Sequence, residues 1–191
     1  MKIFFYKYGS ICEPDISDSF RRLGFEVIDE DMEIYNKNLL PSQCVETVSK
    51  KLIDGQFTFV FTINFFPWLS DLCEIMHLKY ISLIVDSPVL ELYSYSLKND
   101  CNRIFLFDRC LYNEFEPFNQ GHIFHVPLAA DVNRIQNVIK NASTSEKAKF
   151  ASDISFIGST YQEKCPFNRS ELNDAVRAVG MDAPSLAVVF P

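Results

Sequence analysis

Apolar runs of strand length alternate with stretches of helical spacing along most of this chain, the signature of stacked βαβ units. Strands are predicted near Ile3–Tyr8, Glu26–Asp29, Phe57–Ile63, Tyr80–Val85, Arg103–Phe107 and His122–Val126. Between them the spacing predicts helices near Pro14–Leu23, Ser42–Asp54, Trp68–His77, Val89–Leu97 and Arg109–Phe115. The second of these follows Pro41 and sets Val45, Val48 and Leu52 at helical intervals, with lysines on the other face. The strand runs are continuously apolar rather than alternating, as a sheet covered on both faces requires. The expected fold is α/β: a doubly wound, mainly parallel, Rossmann-like sheet in a three-layer α/β/α arrangement.

Near Asp131 the pattern changes. The stretch VNRIQNVIKNASTSEKAKFAS starts with helical spacing and becomes polar and small, a linker-like composition. A new strand, Asp153–Ile157, is expected to follow and to end in Gly158 and Ser159. After it come a helical pattern over Glu171–Val179, Gly180 as its stop, and a final apolar LAVVF. The organisation expected is a first domain over residues 1–135, a linker over 136–152, and the start of a second domain or a C-terminal extension over 153–191.

Composition narrows the function classes. A net charge of −7 argues against a nucleic-acid duplex or a lipid surface, both of which need clustered Lys and Arg. No apolar run reaches the roughly 18 residues of a membrane span. The opening MKIFFYKYGS has no small-residue cleavage site and reads as a first strand, so the cytoplasm is the expected location. The six cysteines form no C-x-x-C pair and are expected to be reduced, mostly buried thiols.

Candidate chemistry lies where the strands end. In a parallel sheet, ligands gather outside the carboxyl ends of the strands, and these ends carry Gly9 and Ser10, Asn64, Asp86 and Ser87, and Asp108. Each polar residue is also a good helix cap, which is the favoured role for Asp108. For Asp86 the two roles are balanced: it or Ser87 caps a helix opening at Pro88, or Ser87 caps alone and leaves the Asp86 carboxylate as a base. Gly9 is a single glycine where the dinucleotide fingerprint has three, and no P-loop motif occurs, so NAD, FAD and P-loop nucleotides are disfavoured. Gly9 still lets a turn pass close to a ligand, and Gly158 with Ser159 repeats that logic. His122 and His125 alternate across one strand and cannot share a metal; His125 alone, just before PLAAD, is a weak site candidate, and no metal site is expected. His77 reads as a surface or helix-capping residue.

The segments INFFP, DSP followed by LYS, IFLFD and PLAADVNRI, with DISFIGSTYQEK after them, resemble the N-terminal domain of bacterial glycosyltransferase-like proteins of the spore-maturation type. The resemblance covers about residues 1–165. Leu83 stands where that family often carries tryptophan, and the tail after Cys165 departs from its pattern. The resemblance implies a GT-B architecture of two Rossmann-like domains, with the acceptor on the first and a nucleotide sugar on the second. It implies no further cofactor, since the nucleotide sugar is a substrate, and it leaves the acceptor undefined. On this reading Asp86 is the general base, Asn64 and Ser87 orient the acceptor hydroxyl, Gly9 and Ser10 line the floor, and Gly158 and Ser159 approach the donor diphosphate. Nearly all of the donor domain lies outside this chain, so turnover by the chain alone is not expected. The alternative is a non-catalytic, glycosyltransferase-like binding or scaffold module, to which the apolar C-terminal segment offers a route to homo-oligomers.

Overall fold

The computed structural model describes residues 1–36 and 38–155. Six strands form one all-parallel sheet in the order β2-β1-β3-β4-β5-β6. The strands are β1 (Lys2–Tyr6), β2 (Glu26–Glu30), β3 (Phe59–Ile63), β4 (Lys79–Ile84), β5 (Asn102–Leu106) and β6 (Ile123–His125). The helices are α1 (Glu13–Arg22), α2 (Met32–Tyr35), α3 (Pro41–Gly55), α4 (Pro67–Ile75), α5 (Arg109–Phe115), α6 (Val132–Asn141) and α7 (Thr144–Phe150). The fold is thus Rossmann-like α/β, with a strand order that reverses between β1 and β3. That reversal is the point at which open α/β sheets place their ligand crevice.

Two apolar clusters lie on the two faces of the sheet. On one face, Phe4, Tyr6, Val60, Tyr80, Ile84 and Ile104 meet Val48 and Leu52 of α3, Leu69 and Cys73 of α4, and Leu111 and Phe115 of α5. On the other, Phe5, Phe61 and Ile63 meet Ile16 and Phe20 of α1. The continuous apolarity of β1 and β3 reflects this double cover: four of the five residues in each are buried. The expectation of two covered faces fails farther along the sheet. In β4 and β5 burial alternates: Ile81, Leu83 and Phe105, on the α1 side, are only partly buried.

One predicted helix is replaced. Val89–Leu97 forms two 3₁₀ turns, Leu90–Tyr93 and Tyr95–Lys98, and Pro88 follows a cis peptide rather than opening a helix. The backbone pairs three residues apart instead: Leu92 N–H bonds Val89 O and Ser94 N–H bonds Glu91 O, and Ser94, extended at ψ 150°, accepts from the Ser96 N–H through its hydroxyl and so caps a second turn rather than continuing the first. α4 ends as the sequence suggests: exposed His77 takes the left-handed conformation (φ 54°), His77 N–H bonds Glu74 O and Leu78 N–H bonds Cys73 O. That is a Schellman ending with histidine in the place of glycine.

Contacts divide the chain into two compact units, Met1–Gln136 and Asn137–Pro191, so the boundary falls inside α6. Within the first unit, the start of α6 is tied to α1 by Arg134–Asp15 (2.9 Å) and by Arg22–Asp131 (2.9 Å). Within the second, the expected linker is largely helical: α7 forms because Ser143 and Glu146 make a reciprocal capping box. Asp153 and Ile154 form a bend, not the start of a strand, and the remainder of that predicted strand lies outside the described residues. No helix among the described residues is long and apolar enough to cross a membrane.

Candidate functional site

Parallel pairing brings the strand ends to one rim. Tyr6 of β1 lies beside Thr62 of β3, Ile63 beside Leu83 of β4, Ile84 beside Leu106 of β5, and Leu106 beside His125 of β6. The residues that follow therefore stand in sheet order: Tyr8, Asn64, Asp86 with Ser87, Asp108 with Arg109, and His125. Five neighbouring strands at about 4.8 Å spacing make this row roughly 19 Å long.

The first position is occupied by the protein's own anion. After β1 the chain turns at Gly9, whose φ of 100° requires glycine. Glu13, in the first turn of α1 and 2 % exposed, reaches back into that turn. Its carboxylate accepts from Tyr8 N–H (2.9 Å) and from Gly9 N–H (3.2 Å to each oxygen). The backbone donors that would otherwise hold a ligand's phosphate are satisfied internally. Gly9 thus shapes the turn, but its N–H is committed to Glu13. Glu13 is not among the candidate residues that the strand-end pattern singles out. Its signal was a carboxylate one helical turn after a strand-ending glycine.

Asn64 organises the centre. It sits just past β3 with φ 57°, a left-handed conformation that asparagine tolerates better than most residues. Its own N–H bonds Leu83 O (2.8 Å), and its Oδ1 accepts from Val85 N–H (3.1 Å). Because a backbone N–H fixes Oδ1, the amide orientation is decided, and Nδ2 donates to Asp86 Oδ2 (2.6 Å) and to the Tyr8 phenol oxygen (2.9 Å). Asn64 and Asp86 therefore do emerge together at one rim. Asp86 is exposed, and its Oδ1 has no protein partner among the described residues. Burial holds the Tyr8 phenol above its ordinary range, and the Asp86 charge adds to this, while bonds from Ser10 and Asn64 offset part of it. Tyr8 is therefore a neutral hydroxyl at neutral pH.

On the other side of Asp86, the Ser87 hydroxyl donates to Asp108 Oδ2 (2.9 Å), and Asp108 Oδ1 accepts from Cys110 N–H (2.7 Å). Asp108 is the cap of α5, as its sequence position suggests. The Ser87 hydroxyl and the Cys110 N–H hold its carboxyl below the usual range. Ser87 caps nothing and instead ties the β4 and β5 ends together. His125 uses both ring nitrogens on protein groups: Nε2 lies 3.2 Å from Phe107 O and Nδ1 lies 3.4 Å from Arg109 Nη2. The structure thus gathers Gly9, Asn64, Asp86, Ser87 and His125 along one edge and adds Tyr8, Glu13 and Arg109, which the sequence did not single out. Ser10 sits in the same turn as Gly9. Gly158 and Ser159 lie outside the described residues.

A cavity of about 250 Å³ lies elsewhere, on the flank formed by the two 3₁₀ turns and the end of α5. Leu92, Tyr93, Tyr95, Lys98, Phe115 and Phe118 are among its walls, and it shares no lining residue with the rim. Among the described residues, no group of three or more His, Cys, Asp or Glu is placed to hold a metal ion. The described cysteines are all unpaired; burial pushes the Cys101 thiol up to about 12 and raises that of Cys73 as well, so neither is a nucleophile near neutral pH.

No protein-family model matches this chain, and no curated protein matches it. One solved structure, a fusion containing amino acids 181–211 of the yeast Spc42 trimeric coiled coil, aligns over 94 % of this chain and 95 % of its own at 9 % identity. Its TM-score is 0.39, a likeness too slight to bear on fold or function.

Proposed function

We propose that this chain is the acceptor-side domain of a GT-B-type glycosyltransferase-like protein, with Asp86 as the base at the acceptor hydroxyl. One observation carries the reading: a carboxylate at the open rim has one oxygen fixed by an amide that is itself fixed, while the other has no protein partner among the described residues. Such a carboxylate can take a proton from a bound hydroxyl as that oxygen attacks the anomeric carbon of a nucleotide sugar and the nucleoside diphosphate departs. Its Oδ1 faces the acceptor without reorganising, because Asn64 holds Oδ2. The Tyr8 hydroxyl and the Ser87 oxygen flank it as neutral groups suited to a polyhydroxylated acceptor.

The test is Asp86→Asn in a two-domain relative that carries this rim, assayed by sugar transfer from a panel of nucleotide sugars. General-base loss should lower kcat by about 10²–10⁴-fold, while the melting temperature falls by only a few degrees because the amide oxygen can still accept from Asn64 Nδ2. An unchanged kcat would remove Asp86 from the mechanism, and absence of transfer by the wild-type protein from every donor in the panel would favour the non-catalytic binding module.

A further inference from the structure

Arg109 stands apart from the other described arginines. Arg21 pairs with Asp29, Arg22 with Asp18 and Asp131, and Arg134 with Asp15, while Arg103 donates to the Asp100 and Asn102 carbonyls. Arg109 has neither a carboxylate nor a carbonyl partner among the described residues, in a chain whose acids outnumber its bases. Its one polar partner among the described residues is His125. The His125 Nε2 faces the Phe107 carbonyl, which can only accept, so Nε2 carries the ring proton and Nδ1 presents its lone pair to Arg109 Nη2. The Tyr112 ring packs edge-on against the imidazole at 6.0 Å between centroids and limits its rotation. One Nη2 N–H, and with it one edge of the guanidinium, is therefore held by a neutral acceptor, while the other edge, which includes the second Nη2 N–H, has no partner among the described residues and the side chain is exposed at the rim.

We propose that Arg109, held in place by His125, is an oxyanion-binding group for a ligand that lies along the strand ends. A guanidinium fork matches two oxygens of a phosphate or a carboxylate and loses little freedom on binding when one edge is already anchored. The neighbouring acid does not compete: both Asp108 oxygens are turned to Ser87 and to the Cys110 N–H. The glycine turn at the far end of the row offers no alternative site, because Glu13 fills it. The oxyanion is therefore bound at the β5 and β6 ends, away from the β1 turn where nucleotide-binding α/β folds place it. His125 is a positioning residue here rather than a ligand contact.

The experiment is NMR titration of the full chain with inorganic pyrophosphate and, separately, with malonate, following the Arg109 Nε–Hε resonance at constant ionic strength. Saturable shifts centred on Arg109 and His125 are expected, and preference between the two probes assigns a phosphate or a carboxylate ligand. Arg109→Ala should weaken binding at least 10-fold and Arg109→Lys, which keeps the charge without the fork, by an intermediate factor. His125→Leu should weaken it several-fold, and His125→Gln, whose amide can donate to Phe107 O while accepting from Arg109, should restore it. Absence of saturable shifts with either probe, or equal binding by Arg109→Ala, overturns the site. Equal binding by His125→Leu overturns the positioning role. The titration contains no acceptor and no transfer step, so its result is independent of the role proposed for Asp86.

Discussion

Asn64→Asp tests the centre of the rim with a nearly isosteric change. The Nδ2 group that lies 2.6 Å from Asp86 Oδ2 and 2.9 Å from the Tyr8 oxygen becomes a carboxylate oxygen, while Oδ1 can still accept from Val85 N–H. A hydrogen bond to a charged group, worth about 1.5–3 kcal/mol, is exchanged for two like charges. With charge centres roughly 4 Å apart, repulsion lies between about 1 kcal/mol in water and about 4 kcal/mol in protein-like surroundings. Asp86 is exposed, so the lower part of that range applies. The sum is a loss of about 3 kcal/mol at pH 8, or a melting temperature lower by about 10 °C for a domain of this size.

The loss must depend on pH. Repulsion retains a proton on the folded pair to higher pH than on either acid in the unfolded chain. The folded state then binds more protons than the unfolded one across that window, so the variant loses stability as pH rises through it and recovers stability below it. Thermal melts of wild type, Asn64→Asp and Asn64→Ala between about pH 4.5 and 8 separate this from simple loss of bonds. The Asp variant's deficit should at least halve at the acid end, while the Ala variant's deficit, which includes about 1–2 kcal/mol for a left-handed alanine, should stay level. An Asp deficit that is the same at both ends, or absent, would refute the Asn64–Asp86 geometry.

Two further outcomes are expected. Glu13→Ala uncovers the Tyr8 and Gly9 N–H groups beside the α1 terminus, so it should destabilise the protein by about 2–4 kcal/mol, and sulfate should raise the variant's melting temperature more than that of wild type; equal responses to sulfate would show that the turn is not an anion nest. Asp29 is the second: burial would raise its carboxyl, but bonds from Lys7, Arg21 and Ser17 together hold it below its ordinary range. Its stabilisation is therefore present above the unfolded value and lost as pH falls through the folded one, and Asp29→Asn should flatten the acid limb of the stability profile measured by chemical denaturation.

How much of this was legible in the sequence depends on the range of the interactions involved. The strands of β1 and β3 stand out because Phe4, Phe5, Val60 and Phe61 are buried wherever the sheet is covered, and burial of that kind needs only local apolarity. The helix expected over Val89–Leu97 was not legible as 3₁₀ turns, since part of what holds that segment, the Asn102 and Asn119 amides that donate to Leu97 O, lies up to 22 residues away. Asp108 could be read as a cap because its partner, Cys110, is two residues on. Ser87 could not be read as the partner of Asp108, because 21 residues separate them.

The same division holds at the rim. Sequence alone was enough to place Asn64, Asp86 and Asp108 at strand ends and, through parallel pairing, on one edge, since strand direction follows from the alternation of elements. Only the tertiary structure decided what each group meets there: that Glu13 closes the Gly9 turn, that one amide clamps Asp86, and that His125 lies against Arg109. Those assignments rest on hydrogen bonds of about 3 Å between groups brought together by the register of neighbouring strands. The alternation of strand and helix patterns implies parallel strands, and local apolarity marks what is buried, but neither holds a record of which side chain meets which across the sheet.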